Sequence, residues 1–241
     1  MSGHSKWSTI KREKGLKDAK RGAIFTRIGN QIAIAARSGI DPSMNSTLFM
    51  AIETAKQANM PAVNIQRAID RVSDKNAAVL EETAYEAMGP GGVGIIIETA
   101  TDNKNRTFPE VKNVLNKNGG RIADAGSVAF QFTRKGVIRV AAVGEDALLA
   151  VLDAGAEDAV EEDGELIVYT ELKDLAKVRK AIVEAGLTVT AAELQYVPNS
   201  LVEVSDLEIA QKLIKILDAL DDLDDVVNVH NNADITVDLP E

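Results

Sequence analysis

The order of hydrophobic patterns between residues 136 and 197 constrains the fold more than any other feature of this 241-residue chain. Runs rich in β-branched residues alternate with helix-like spacings in the order strand, helix, strand, strand, helix, strand. This order is typical of a ferredoxin-like unit, in which two helices cover one face of an antiparallel sheet. The predicted elements are Val137–Ala142, Glu145–Ala154, Asp158–Glu162, Leu166–Thr170, Leu172–Ala185 and Leu187–Val197.

The patterns before this segment indicate part of a second α/β unit. A β-rich run over residues 92–101 is followed by Thr107 and Glu110, which have the spacing of a capping box at the start of a helix. Two short strands are predicted next, at Arg121–Asp124 and Val128–Thr133. A unit with these elements still lacks one helix and one strand.

The missing elements are found near the C-terminus. Ser205 and Glu208 form a second capping-box pattern before an amphipathic helix, and Val226–His230 is predicted to be a closing strand. We therefore expect an α+β multidomain chain, in which two ferredoxin-like α/β units, one inserted in the other, follow a helical domain. The predicted domains are 1–79 for a basic arm and helical bundle, 80–133 plus 200–241 for the first ferredoxin-like unit, and 134–199 for the inserted unit.

The helical domain is predicted from three short amphipathic patterns within residues 20–75. Ile24, Ile28 and Ile32 recur at helical spacing before Gly39, and two further patterns of the same kind follow. Because each apolar face is narrow, the three helices can bury these faces only against one another. The prediction is an N-terminal three-helix bundle.

Charge is distributed very unevenly along the chain. The net charge is −10, yet residues 1–80 carry 13 Lys and Arg against 6 Asp and Glu, whereas residues 81–241 carry 14 against 31. Residues 1–40 alone hold nine basic residues and only two acidic ones. A polyanion is therefore expected to meet the chain at its N-terminus, because the acidic remainder would repel it.

The sharpest candidate site is the basic arm, residues 1–21. Lys14, Lys17 and Arg21 would share one face of a helix, a spacing suited to successive phosphates, and Trp7 is placed to stack on an exposed base. The alternative is a solubilising tail whose Trp7 packs on the bundle. The candidate nucleic-acid-binding residues are Lys6, Trp7, Lys11, Arg12, Lys14, Lys17, Lys20, Arg21 and Arg27.

A glycine-rich stretch at residues 89–94 matches the G-x-G-x-x-G pattern of dinucleotide sites. That pattern needs a helix after the loop, whereas a strand is predicted here, and Pro90 removes an amide that would face the phosphate. Nucleotide binding is therefore disfavoured. The loop of Gly89, Pro90, Gly91 and Gly92 is interpreted as a hinge between domains or as a backbone contact to a macromolecular partner.

Enzymatic and metal-dependent functions lack the residues that they need. The chain has no cysteine, which excludes disulfides, zinc ribbons and thiol nucleophiles, and its two histidines, His4 and His230, lie far apart in sequence. The acidic clusters at 157–165 and 221–225 lack the spacing of a calcium-binding loop. No phosphate-binding loop, zinc-protease motif or serine-nucleophile motif occurs. We expect no catalytic residue, no metal and no cofactor.

The hydropathy of the chain predicts a cytoplasmic protein that has no membrane partner. No apolar run approaches the roughly 20 residues needed to cross a bilayer. The N-terminal residues also lack the apolar centre of a secretory signal.

Several stretches together resemble the YebC/PmpR family, and the resemblance covers essentially the whole chain. Departures such as Ala87-Met88 and Ala62-Val63 change no charge in the arm. The matching stretches are residues 3–32, Ala55-Lys56, Asn59-Met60-Pro61, Asn64–Ile69, Tyr85-Glu86 with the Gly-Pro-Gly-Gly loop, Gly119-Gly120, Gly126-Ser127-Val128, Phe130 and Phe132.

The resemblance implies a helical first domain, two α/β domains and no catalytic activity. Members of the family are described as probable transcriptional regulators that bind DNA. Mitochondrial relatives act as translational activators of cytochrome c oxidase, and bacterial members have been connected to the ribosome. Because the match begins at the start of the chain, no organelle presequence is expected, which favours a bacterial cytoplasm.

Three functions remain open on the sequence. The first is a DNA-binding regulator of transcription, and the second is a translation factor that docks the arm on ribosomal RNA and so associates with the ribosome. The third is an adaptor whose acidic domains capture basic proteins. The sequence does not specify an oligomeric state.

Overall fold

The computed structural model describes residues 18–42, 44–73 and 79–239, and the described part of the N-terminal region is a helical bundle. Its helices are α1 (Asp18–Ala35), α2 (Ser46–Gln57) and α3 (Ala62–Asp70). Asn45 joins the first two: its Oδ1 accepts a hydrogen bond from the Leu48 amide at 3.0 Å, and its Nδ2 donates to the carbonyl of Ala35 at 2.7 Å. The bundle core contains Ile28, Ile32, Leu48, Ala55, Ile65 and Ile69.

A four-stranded antiparallel sheet follows, built from β1 (Glu81–Met88), β2 (Gly94–Thr101), β3 (Arg121–Ile122) and β9 (Val226–Asn231) in the spatial order β3-β1-β2-β9. Helices α4 (Lys104–Lys117) and α7 (Leu207–Asp221) supply the apolar side chains that pack on one face. A parallel pair, β8 (Val202–Val204) with β10 (Ala233–Ile235), packs on the same core. We call residues 81–131 and 202–235 the interrupted unit.

Residues 132–198 form the continuous unit. The elements are β4 (Phe132–Val140), α5 (Glu145–Asp153), β5 (Asp158–Glu162), β6 (Glu165–Thr170), α6 (Leu175–Glu184) and β7 (Val189–Pro198). The strands lie in the order β5-β6-β4-β7, all neighbours being antiparallel, and the two helices cover one face of the sheet. The predicted α+β class is confirmed.

The prediction of a strand at Val128–Thr133 was wrong for its first four residues, and only Phe132 and Thr133 belong to a strand, β4. Residues Ala129–Gln131 form a 3-10 turn, and β1 takes the place that this strand was expected to fill beside β3. Val128 and Phe132 are buried because they pack with Ile96 on the sheet face away from α4 and α7. Their apolar alternation therefore reflects two anchors of a loop and not the pleat of a strand.

Both predicted capping boxes were wrong in detail. Helix α4 begins three residues before Thr107, and its N-cap is Asn103, whose side chain accepts a hydrogen bond from the Arg106 amide at 3.2 Å. Helix α7 is capped by Asp206, which accepts from the Ile209 amide at 3.0 Å. Both observed caps are Asx residues, Asn103 and Asp206, which the N-cap position favours at least as strongly as Ser and Thr.

Candidate nucleic-acid interface and the junction between the units

Most of the predicted nucleic-acid-binding residues lie in the arm. Lys20 and Arg21 belong to the first turn of α1. The candidates Lys6, Trp7, Lys11, Arg12, Lys14 and Lys17 lie outside the described residues. Their role as a phosphate-binding row therefore stays a prediction.

Arg27 occupies a different position from the other candidates. Its Nη1 lies 3.3 Å from Oδ1 of Asp221, at the end of α7, and its Nη2 donates to the carbonyl of the same residue. Both side chains are largely buried, at 14% and 11% exposure. The guanidinium thus fixes the helical bundle to the interrupted unit, and in this arrangement it is not presented to a phosphate.

Two other arginines of the helical domain also make hydrogen bonds within the protein. Arg37 donates to the carbonyl of Leu80, where the chain enters the interrupted unit. Arg71, just after α3, donates to Oδ1 of the buried Asn30 at 3.2 Å. Part of the positive charge of the helical domain therefore serves internal contacts.

The glycine-rich loop joins β1 to β2 within one sheet, so its interpretation as a hinge between domains was wrong. The Gly89 amide donates to the carbonyl of Val93 at 2.8 Å, which closes the hairpin. Gly91 has a φ of 73°, and a Cβ atom there would lie 3.0 Å from Ile209 on α7. Gly91 and Gly92 are exposed. The other half of the interpretation, a backbone contact to a partner, stays a prediction.

A cavity of about 450 Å³ lies where the helical bundle meets both α/β units. Its walls come from α1 and α2, from strands of the interrupted unit, and from β4, β7 and α6 of the continuous unit. Both polar and apolar side chains line the cavity. The lining includes Gln31, Met50, Thr83, Glu98, Arg134 and Tyr196.

A polar network crosses this junction and centres on Glu98 of β2. Its Oε2 lies 3.0 Å from Nε2 of His230 and accepts a hydrogen bond from Nδ2 of Asn228, also at 3.0 Å. Arg134 of the continuous unit lies 3.6 Å from the other carboxylate oxygen and 5.5 Å from the ring centre of Tyr196. The Tyr196 and His230 rings are 5.4 Å apart. These contacts join β2 and β9 to β4 and β7.

Glu98 is ionised in this network. Burial acts to raise the pKa of its carboxyl, but hydrogen bonds from His230 and Asn228 and the positive charge of Arg134 lower the pKa below the ordinary value. The residue interrupts an apolar run on β2. A carboxylate within an otherwise apolar strand is the one sequence signal that points to this junction.

The buried carboxylate of Asp225 lies in the turn before β9. It accepts hydrogen bonds from Thr107 at 2.6 Å, from Thr101 at 2.9 Å and from Arg106 at 2.8 Å. Burial acts to raise its pKa, but these partners lower the pKa overall. Asp225 thus ties the start of α4 to the turn before β9. Within residues 18–42, 44–73 and 79–239, no group of three or more acidic or histidine side chains could hold a metal ion.

The three parts together define an α+β protein with an N-terminal helical bundle and two α/β units, of which the continuous unit has the predicted ferredoxin-like order and the interrupted unit reaches the same strand arrangement with β1 in place of the expected third strand. Models of the TACO1/YebC protein N-terminal domain and of the TACO1/YebC second and third domain match residues 5–75 and 80–233. The chain therefore belongs to the TACO1/YebC family. None of the helices in the described ranges is long and apolar enough to cross a membrane.

Relatives match this chain over nearly its whole length. A protein of Acidithiobacillus ferrooxidans is 50% identical over 240 residues, covering 98% of this chain and 96% of that protein. A protein of Chlorobaculum tepidum is 46% identical over 242 residues, with the same coverage of both chains. Both are named probable transcriptional regulatory proteins. The crystal structure of a conserved hypothetical protein from Aquifex aeolicus matches with a TM-score of 0.84 and 40% identity over 95% of this chain and 96% of that one.

Proposed function

We propose that this chain is a non-enzymatic, cytoplasmic regulator of gene expression that binds nucleic acid, in the first place duplex DNA, through its basic arm. The observation that carries the proposal is the separation of charge, with nine basic residues in the first forty against a net charge of −17 over residues 81–241. An acidic body repels a polyanion and so orients the encounter toward the arm. The names of the relatives support a regulatory role.

Binding through the arm consists mainly of phosphate contacts. Such contacts release condensed counterions, so the affinity falls as salt rises, with a slope of about −0.9 per phosphate in B-DNA. Six neutralised phosphates correspond to a slope of roughly −5 in a plot of log K against log salt concentration. Arg27 is left out of this count because its guanidinium is engaged with Asp221.

A salt titration of duplex binding tests the proposal. The full chain is compared with a triple variant, Lys11→Glu, Lys14→Glu and Lys17→Glu, and with a matched control that changes three lysines of the body, Lys112→Glu, Lys117→Glu and Lys177→Glu. We expect the arm variant to lose affinity and several units of slope, and the control to change much less. A flat titration of the unmodified chain contradicts the proposal.

The alternative is a translation factor that places the arm on ribosomal RNA. Trp7 favours it, because an aromatic ring between basic residues suits unpaired bases, which are common in RNA and absent from a regular duplex. The acidic body would then face ribosomal proteins. Co-sedimentation of the chain with ribosomes, lost in the arm variant and kept in the control, is the expected result. Retention of the arm variant would exclude the arm as the anchor.

A further inference from the structure

The contact between Arg27 of α1 and Asp221 of α7 is a buried ion pair that joins the helical bundle to the interrupted unit. The Nη1 atom of Arg27 lies 3.3 Å from Oδ1 of Asp221, and the Nη2 atom donates to the carbonyl of the same residue. The two side chains are only 14% and 11% exposed. The guanidinium thus binds two oxygen atoms at once, as an arginine does when it binds a phosphate group.

The end of α7 is negatively charged and supplies no cation of its own. Its last turn contains Asp218 and Asp221, Asp222 and Asp224 follow, and no lysine or arginine occurs between residues 216 and 225. The C-terminus of a helix carries the negative end of the helix dipole, where carboxylates are unfavourable and cations are favourable. Arg27 is therefore a cation that this helix end receives from the bundle.

The ion pair is not fully satisfied by hydrogen bonds. The Nε atom of Arg27 is buried and has no hydrogen-bond partner among the described residues. A buried donor without a partner is costly, and the removal of two charges from water offsets much of their mutual attraction. The balance between the paired and the released guanidinium is therefore sensitive to a change in either partner.

Arg27 lies on the helix into which the basic arm leads. Residues 20 and 27 are seven positions apart in α1, so they lie on the same face, about 10 Å apart along the helix axis. Thr26, beside Arg27, is exposed, and so is Gly22 one turn earlier. A released Arg27 would therefore extend the basic row of the arm by one cation.

We propose that Asp221 competes with phosphate for Arg27, so that this ion pair withholds one cation from nucleic acid. The inference rests on the proposed function and concerns how binding by the same basic region is limited. While Arg27 is bound to Asp221, the arm alone supplies the phosphate contacts. When the charge of Asp221 is removed, a buried guanidinium without a counter-charge is less stable than a solvated one. Arg27 then turns to the surface and binds a phosphate.

Salt titrations of duplex DNA binding to the full chain test this competition. Asp221→Asn keeps the size of the side chain, and the control Asp224→Asn removes an equal charge from an exposed position in the turn after α7. A phosphate contact with a slope of about −0.9 raises the affinity about 8-fold at about 0.1 M salt relative to about 1 M salt. We therefore expect Asp221→Asn to bind up to about 8-fold more tightly at about 0.1 M salt and to steepen the slope by about 0.9. Asp224→Asn should change both much less.

Two changes of Arg27 separate competition from a general effect of charge. Arg27→Lys keeps the positive charge but lacks the planar fork that bridges the carboxylate and the carbonyl. It should therefore bind duplex DNA more tightly than the unmodified chain, at the same net charge. Arg27→Gln has no charge to offer a phosphate, so Asp221→Asn should give no gain in affinity or in slope when it is combined with Arg27→Gln. A gain of equal size in this double variant would overturn the competition.

Thermal unfolding checks that the variants fold and that the ion pair is broken. Asp221→Asn should lower the melting temperature because it leaves Arg27 without its counter-charge, and the addition of Arg27→Gln should recover part of that loss. If Asp221→Asn does not fold, Arg27→Lys and Arg27→Gln provide the comparison. Arg27→Lys must then bind duplex DNA more tightly than Arg27→Gln and with a steeper slope.

Failure of this inference and failure of the proposed function give different results. If the unmodified chain binds duplex DNA, the arm variant weakens binding and the folded Asp221→Asn variant does not strengthen it, only the competition is overturned. If neither the unmodified chain nor Asp221→Asn binds duplex DNA, the proposed function fails and this inference fails with it.

Discussion

The two α/β units place their strands in the same spatial order but take them from the chain in different orders. In the continuous unit, β6 follows β5 and fills the position beside β4. In the interrupted unit the equivalent position beside β2 belongs to β1, which precedes β2 in sequence. One sheet arrangement is thus reached by two connectivities, and the segment after β3 is released from pairing to form the Phe130 loop.

Each unit has its own hydrophobic core, so we expect a cavity in either core to lower the stability of its unit by a similar amount. Leu213 of α7 and Ile182 of α6 are fully buried in the cores of the interrupted and continuous units. Replacing either by Ala removes buried methylene groups and leaves a cavity, at a cost of about 2–5 kcal/mol. This is the largest effect that we expect.

Urea unfolding measures the loss in free energy of unfolding, and hydrogen exchange of the folded chain shows which unit is affected. Leu213→Ala should lower protection mainly in the interrupted unit, and Ile182→Ala mainly in the continuous unit. Leu149→Ala, on the exposed face of α5, is the control and should change little. Equal loss of protection in both units from either variant would show that the two cores unfold as one.

The next largest change in stability is expected at Glu86, which holds a segment that has no counterpart in the continuous unit. Glu86 binds three amides of the segment that takes no part in the sheet. Glu86→Gln replaces one accepting oxygen by an NH₂ group that faces a backbone amide. We therefore expect the free energy of unfolding to fall by about 1–3 kcal/mol. Thermal unfolding measures it, with Glu110→Gln on the exposed side of α4 as the control. An unchanged Glu86→Gln variant would mean that the buried neighbours Val128 and Phe132 suffice.

Acid should loosen the interrupted unit before the continuous one. Glu86, Glu98 and Asp225 all belong to the interrupted unit, and each has a lowered pKa. Backbone hydrogen bonds outweigh the effect of burial at Glu86, and hydrogen bonds together with nearby positive charge do so at Glu98 and Asp225. A carboxylate whose pKa is lower in the folded chain stabilises the fold above its unfolded pKa, about 3.9 for Asp and 4.3 for Glu. That contribution is lost as the pH falls through the folded pKa.

Hydrogen exchange at neutral pH and at about pH 3 separates the two units, after correction for the intrinsic exchange rate. We expect protection to fall first in β1, β2 and β9, and later in β4 and β6. The variant Glu98→Gln, which has no carboxylate to titrate at this position, should show a smaller difference between the two pH values. If protection fell at the same pH in both sheets, the three carboxylates would not be what makes the interrupted unit more sensitive to acid.

The same comparison explains which parts of the fold the sequence predicts. The continuous unit was predicted well because its elements are consecutive and its strands alternate with helical spacings. In the interrupted unit, β1 was missed because its sequence, Glu-Glu-Thr-Ala-Tyr-Glu-Ala-Met, is acidic and carries few β-branched residues. Its pairing with β2 and β3 outweighs that weak propensity.

The candidate site was less predictable, because its contacts join residues far apart in sequence. The arm was found from charge alone, which needs no structure. The bond between Arg27 and Asp221 spans 194 residues, and that between His230 and Glu98 spans 132, so no local pattern reveals them. Phe130 was placed on the apolar side of a predicted strand, but it is 72% exposed, because its exposure depends on the fold of the loop.

The smallest effect that we expect lies at the contact between the two units. Arg134 is about half exposed and lies 3.6 Å from Glu98, so its ion pair is weak, and its contact with the Tyr196 ring adds a similar amount. Arg134→Gln should therefore cost less than about 1 kcal/mol. A double-mutant cycle with Glu98→Gln measures the coupling energy, and Lys135→Gln, which affects an ion pair within the continuous unit, is the control.

The ion pair between Arg134 and Glu98 joins the units without belonging to either core. Its loss should therefore make hydrogen exchange in the two units less correlated, while the protection within each unit stays unchanged. If Arg134→Gln lowered the free energy of unfolding by several kcal/mol, the two units would be stabilised through this junction as one core.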